Sequence, residues 1–223
     1  MTPLRHILAS SIALAVTQFC VVQTATARAT IGPGTRTTTV TSTSGTTTVQ
    51  GGATVDTSAG ATDGVFANGG DVVLDLQAGP SPGAITVRTA SGRALHATSG
   101  TISVPNGVNL FTTTGAALFA DGGTIDIDGG NISSTNGRLA GATAGTVRIA
   151  NTTWNDPVLA PGAGHGVGVE GTGRAELGGG NRLYISGASN RVGLGVQGPT
   201  ASIAVSGALP IMFQGNSAIG IYL

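Results

Sequence analysis

Four places along the chain bring together residues whose types could do chemistry. Gly79-Pro80-Ser81-Pro82-Gly83 has the spacing of a serine-hydrolase nucleophile turn. The residue after such a serine lends its backbone N–H to the oxyanion hole, and Pro82 has none, so the stretch reads as a surface loop. In Asp126-Ile127-Asp128 two carboxylates leave the same face of an extended chain, opposite Ile127. No G-G-x-G-x-D nonapeptide accompanies them, and an EF-hand-like count from Asp126 reaches Gly137 where a bidentate Glu is needed. The pair is therefore expected to be solvated, and no metal or other cofactor is expected. Trp154, within Asn151-Thr152-Thr153-Trp154-Asn155-Asp156-Pro157, is the single tryptophan and is expected to pack inward rather than stack on a ligand. His165, flanked by Gly164 and Gly166, is the one residue to which an alternative, catalytic reading attaches.

The elements that must position these residues are short strands. Ala117 to Ser133 holds two runs with alternating apolar residues, Leu118 with Ala120 and Ile125 with Ile127, each followed by a Gly-Gly corner. Period two means strand, because successive side chains leave opposite faces. The unit recurs. Leu74, Val104, Ile127, Ile149, Leu177 and Val205 mark one strand, at steps of 30, 23, 22, 28 and 28 residues. Val65, Leu95, Leu118, Leu139, Val167, Leu194 and Ile219 mark the strand before it. A third run contains Leu110, Ile132, Leu183 and Ile211. Three short strands per repeat joined by glycine corners predict an all-β fold, a right-handed parallel β-helix of about six coils. A β-sandwich is the runner-up, and a propeller blade needs a longer repeat, of about 40 residues.

The chain has 223 residues, 38 of them glycine, and only 9% charged residues. Its ten basic residues are all arginine and are matched by ten acids, so no nucleic-acid footprint exists. At the N-terminus, Arg5 and His6 precede a mostly apolar run from Ile7 to Val22, and Ala25-Thr26-Ala27 or Ala27-Arg28-Ala29 supplies small residues for cleavage. Residues 1–29 read as a helical secretory signal with cleavage after Ala29, or after Ala27. Cys20 falls inside it, so the mature chain is expected to carry no disulfide. Residues 30–60, rich in Thr, Ser and Gly, are expected to form a lead-in or N-terminal cap, and 61–223 the β-helix. The pattern stops at Ala218-Ile219-Gly220-Ile221-Tyr222-Leu223, midway through another repeat, so the chain reads as truncated.

Gly164-His165-Gly166 resembles the Gly-His-Gly turn of polygalacturonases, which are themselves parallel β-helices. That family also presents an Asn-Thr-Asp motif, a paired Asp-Asp and an Arg-Ile-Lys. Here Asn151-Thr152-Thr153 has threonine in place of the acid, no adjacent acid pair exists and lysine is absent. Glycoside hydrolysis needs two placed carboxylates, so a polysaccharide-cleaving enzyme is kept only as an alternative.

The signal, the Thr/Ser/Gly-rich opening and repeats such as Ala117-Leu118-Phe119-Ala120-Asp121-Gly122-Gly123-Thr124-Ile125-Asp126-Ile127 together resemble the passenger domain of a pertactin-type autotransporter. The resemblance spans roughly residues 60 to 223. It implies a Gram-negative surface or secreted protein, non-enzymatic, whose β-helical stalk meets a host or neighbouring-cell ligand, protein or glycan. The outer-membrane barrel of such proteins does not follow, so it is missing or supplied separately, and the mature piece would otherwise stay in the periplasm. No Arg-Gly-Asp occurs. A purely structural spacer is the further alternative.

Overall fold

The computed structural model describes residues 28–80, 82–156, 165–186, 191–214 and 218–222. All regular structure among them is β-strand. The chain opens with β1 (Arg28–Ile31) and β2 (Gly34–Arg36), then makes a full turn through β3 (Val40–Ser42), β4 (Thr46–Gln50) and β5 (Ala53–Asp56). Six further turns follow. They are β6 (Val65–Asn68), β7 (Asp71–Asp75) and β8 (Thr86–Thr89); β9 (Leu95–Ser99), β10 (Thr101–Val104) and β11 (Val108–Thr112); and β12 (Leu118–Ala120) with β13 (Thr124–Ser134). Next come β14 (Ala140–Ala142) with β15 (Thr146–Asp156); β16 (His165–Glu170), β17 (Arg174–Leu177) and β18 (Arg182–Ser186); and β19 (Arg191–Gln197), β20 (Ser202–Val205) and β21 (Ile211–Gln214), before β22 (Ala218–Tyr222). The long strands β13 and β15 each serve two faces, bending at Gly129-Gly130 and at Asn151, where φ is positive.

Every strand pairs in parallel with its counterpart one turn away, the arrangement of a parallel β-helix. The first face is an eight-stranded ladder running β3-β6-β9-β12-β14-β16-β19-β22. The other two faces share a second sheet because β13 and β15 cross the corner unbroken. On the middle face Ile31 registers with Val49, and Val49 with Leu74. Val104, Ile127, Ile149, Leu177 and Val205 then continue in register, as the spacing of the markers required. On the last face Leu110, Ile132, Trp154, Leu183 and Ile211 stack. These columns form one interior core, and Val49, Leu74, Leu110, Trp154 and Leu183 are all fully buried. Burial of this aliphatic surface, at about 25 cal/mol per Å², is the main force holding turn on turn.

Two markers of the first face shift. Ala140, not Leu139, registers with Leu118, and Ile221, not Ile219, with Leu194. Two consecutive residues turn inward at this corner, so Ala94-Leu95 and Ala117-Leu118 are answered by Leu139-Ala140 with large and small exchanged. The exchange keeps the filled volume while moving the leucine by one place. The Thr-rich stretch 30–60 winds on the same ladders, with threonines taking positions that aliphatic residues fill later, as at Thr47 opposite Val72. Of the signal, residues 1–27, with Ala27 and Cys20, lie outside the described residues, whereas Ala29 lies in β1 opposite Thr47.

One corner is pinned by a buried amide. Asn181 accepts the Thr152 N–H at 3.1 Å and donates to the Ile149 and Gly178 carbonyls at 2.8 and 2.9 Å. Asn181→Ala strands these backbone groups without water, so we expect a loss of about 1–3 kcal/mol in urea unfolding. Asn181→Asp, which turns a buried carboxylate oxygen towards those two carbonyls, is expected to lose at least as much as the alanine variant.

Candidate functional site

The corner entering the first face recurs in one frame, with glycine at its third place and alanine at its eighth in each copy. Ala90-Ser91-Gly92-Arg93-Ala94-Leu95-His96-Ala97, Thr113-Thr114-Gly115-Ala116-Ala117-Leu118-Phe119-Ala120 and Thr135-Asn136-Gly137-Arg138-Leu139-Ala140-Gly141-Ala142 lie on successive turns. The stacking is backbone to backbone: the Ala94 N–H donates to the Ala116 carbonyl at 3.2 Å, and the Ala117 N–H to that of Arg138 at 2.9 Å. Arg93, Ala116 and Arg138 therefore form one column, and Ser91, Thr114 and Asn136 an exposed column beside it. Ala116 is the short residue between two long ones. The gap above it opens as a cleft of about 510 Å³, lined among others by Asp63, Arg93, Phe119, Asn136 and Arg138.

Each charged side chain at the cleft is already oriented. Asp63, from the turn before, accepts the His96 Nδ1–H at 2.6 Å and the Arg93 backbone N–H at 2.7 Å. The Arg93 guanidinium stands 3.8 Å from Asp63 and lies over the Phe119 ring at 4.6 Å. Arg138 donates to Glu170 Oε1 at 2.5 Å. Behind them His96 stacks on Phe66, with centroids 4.7 Å apart, and meets Phe119 at 6.0 Å. Its other nitrogen, Nε2, is buried and has no hydrogen-bond partner. Beyond Phe119 the same outward row carries Gly141 and then Gly168, and the Phe119 ring and the Arg138 stem lie over Gly141.

Burial works against ionisation of Asp63, but the His96 hydrogen bond, the Arg93 N–H and the nearby positive charge outweigh it and hold the carboxyl below its usual range. A depressed carboxyl stabilises the fold above its unfolded value, near 4, and that contribution disappears as pH falls through the folded value. Asp63→Asn is thus expected to unfold more easily at pH 7 and to show less further loss between pH 5 and pH 3 than the parent. Thermal unfolding at the three pH values reads the difference.

The residues singled out in sequence are dispersed. His165 opens β16, its backbone paired with Val192. Asn151 sits at the corner between the middle and last faces, with φ 51°. Asp126 and Asp128 are exposed on either side of buried Ile127, and Asp128 accepts the Asn151 amide at 2.6 Å. Trp154 is wholly buried between Ile132 and Leu183. Gly79 turns with φ 91° in the loop between β7 and β8, and Ser81 lies outside the described residues. The described residues hold no group of three or more side chains able to bind a metal ion. The cleft itself was missed, although superposing the three eight-residue corners shows the Arg-Ala-Arg column directly.

Compared with protein families, curated proteins and solved structures, the chain matches none.

Proposed function

We propose that this chain is an exported, non-enzymatic stalk of the pertactin-like passenger type, which carries its outer corners to a ligand on a host or neighbouring cell. The observation that carries this reading is how the acidic side chains are used. Seven of them reach across to an adjacent turn: Asp63 to His96, Asp71 to the Thr101 N–H, Asp75 to Asn106, Asp121 to Thr143, Asp128 to Asn151, Glu170 to Arg138 and Glu176 to Arg148. Carboxylates committed to tying turns together suit a rod better than a hydrolytic centre, which needs two free to exchange protons.

Export goes with removal of the signal after Ala29, or after Ala27. The test is to express the full chain in a Gram-negative host, fractionate the cells and determine the mature N-terminus. Export with a start at Thr30 or Arg28 supports the reading, and an unprocessed cytoplasmic chain overturns it. Release of reducing ends from polygalacturonate, lost in His165→Ala, would replace it with the enzymatic alternative.

A further inference from the structure

We propose that the cleft above Ala116 is a binding site for a neutral oligosaccharide lying along the axis of the solenoid. This rests on, and deepens, the stalk reading by naming the chemistry of its ligand.

Charge is the first argument. Asp63 and Glu170 balance Arg93 and Arg138, so the four groups that frame the site sum to zero. No net field is left to concentrate an acidic polymer, and the chain as a whole has a formal net charge of zero. What remains is dense local hydrogen-bonding capacity. A guanidinium has five N–H donors, and the contacts that Arg93 makes to Asp63 and His96, at 3.8 and 3.4 Å, are too long to occupy them well. Arg138 gives one terminal nitrogen to Glu170 and keeps the others. The Asn136 amide and the Thr114 hydroxyl add groups that both donate and accept. Sugar hydroxyls, which also do both, are the matching partners.

Shape is the second argument. Arg93 and Arg138 stand two inter-strand steps apart, about 10 Å along the axis, with only a methyl group between them. A disaccharide unit spans such a distance, and the cleft volume of about 510 Å³ falls within the roughly 300–1,000 Å³ of small-molecule sites. The Phe119 ring edge, partly exposed at the cleft, adds an apolar contact for sugar C–H groups. It is fixed in place by His96 on one side and by the Arg93 guanidinium over its ring. The ligand therefore meets a prearranged wall and does not have to order one.

Ala116→Arg is the decisive variant. It continues the column with the residue that turns on either side already carry, fills the gap, and leaves Asp63, Arg93, Arg138 and Phe119 in place. The full chain is titrated calorimetrically with cellohexaose, chitohexaose, mannohexaose and the acidic galacturonate hexamer. We expect at least one neutral hexamer to bind at micromolar to millimolar concentration, and Ala116→Arg to weaken it at least tenfold with an unchanged unfolding midpoint. Phe119→Ala should weaken it comparably. The proposal is overturned if no neutral hexamer binds, if the galacturonate hexamer binds more tightly than all of them, or if Ala116→Arg binds as the parent does. Should Ala116→Arg unfold early, Arg138→Gln is the substitute, with the same tenfold criterion. Failure here with the chain still exported leaves the stalk reading standing, whereas binding by a chain that is never exported overturns the stalk reading alone.

Discussion

Gly115→Ala is expected to lower the urea midpoint sharply, by the equivalent of about 3 kcal/mol or more, while Gly60→Ala leaves it where it was. A β-carbon on Gly115 would lie 2.0 Å from the Gly92 carbonyl oxygen, and one on Gly137 would lie 1.9 Å from that of Gly115. Both obstacles are backbone, so no side chain can rotate away. The turns would have to part, and parting them stretches hydrogen bonds such as Ala94 to Ala116 and Ala117 to Arg138. Overfilling a packed core usually costs 1–3 kcal/mol, and the rigidity of the obstacle puts this case at or above the top of that range. Gly60 has nothing within 4 Å of the same construction, which makes it the control for the general effect of adding a methyl group. Equal midpoints for the two variants would show that the corners are looser than the structure has them.

For Trp154→Ala we expect a loss of about 3–5 kcal/mol, the usual range for removing a large aromatic residue from a core. The side chain is wholly buried between Ile132 and Leu183, so its deletion opens a hole across three turns at once. Trp154→Phe separates volume from polarity. The indole Nε1–H is buried without a partner, and phenylalanine removes that uncompensated donor along with part of the ring. The two changes oppose one another, and the phenylalanine variant is expected within about 1.5 kcal/mol of the parent, as for a moderate core exchange. Chemical unfolding followed by far-ultraviolet circular dichroism reads both variants, since the fluorophore itself is replaced. A phenylalanine variant as unstable as the alanine one would mean that the indole nitrogen has a partner after all.

Much of the fold was legible because its force leaves a periodic trace. Ile127, Ile149 and Leu177 register as their spacing required, since each must lie over the last to stay dry, and Val205 keeps the register although it is exposed. The trace weakens where burial does not need a large side chain. Thr47 and Ala140 occupy inward positions that a search for Ile, Val and Leu passes over, so the first coils leave a fainter trace and the Leu139 marker falls one residue off its register. The cleft was harder to read for a different reason. Arg93, Phe119 and Arg138 point outward, and outward residues obey no apolar period. Their proximity follows only once the register is known, because residues 45 apart in sequence become neighbours but one. The motifs set aside in sequence have a backbone reason instead: Asn151 and Gly79 stand where φ is positive, which a letter pattern does not show.

The unbroken passage of β13 and β15 from one face to the next has a mechanical consequence. Tension applied to one end of the rod is resisted one turn at a time, because each turn grips only the one before it and the one after. The molecule should therefore yield by unwinding like tape from a reel, releasing one turn of 22 to 30 residues at a time. At the two continuous strands, which belong to turns that line the cleft, the peel must break both faces together, so those turns would resist unravelling more than the rest.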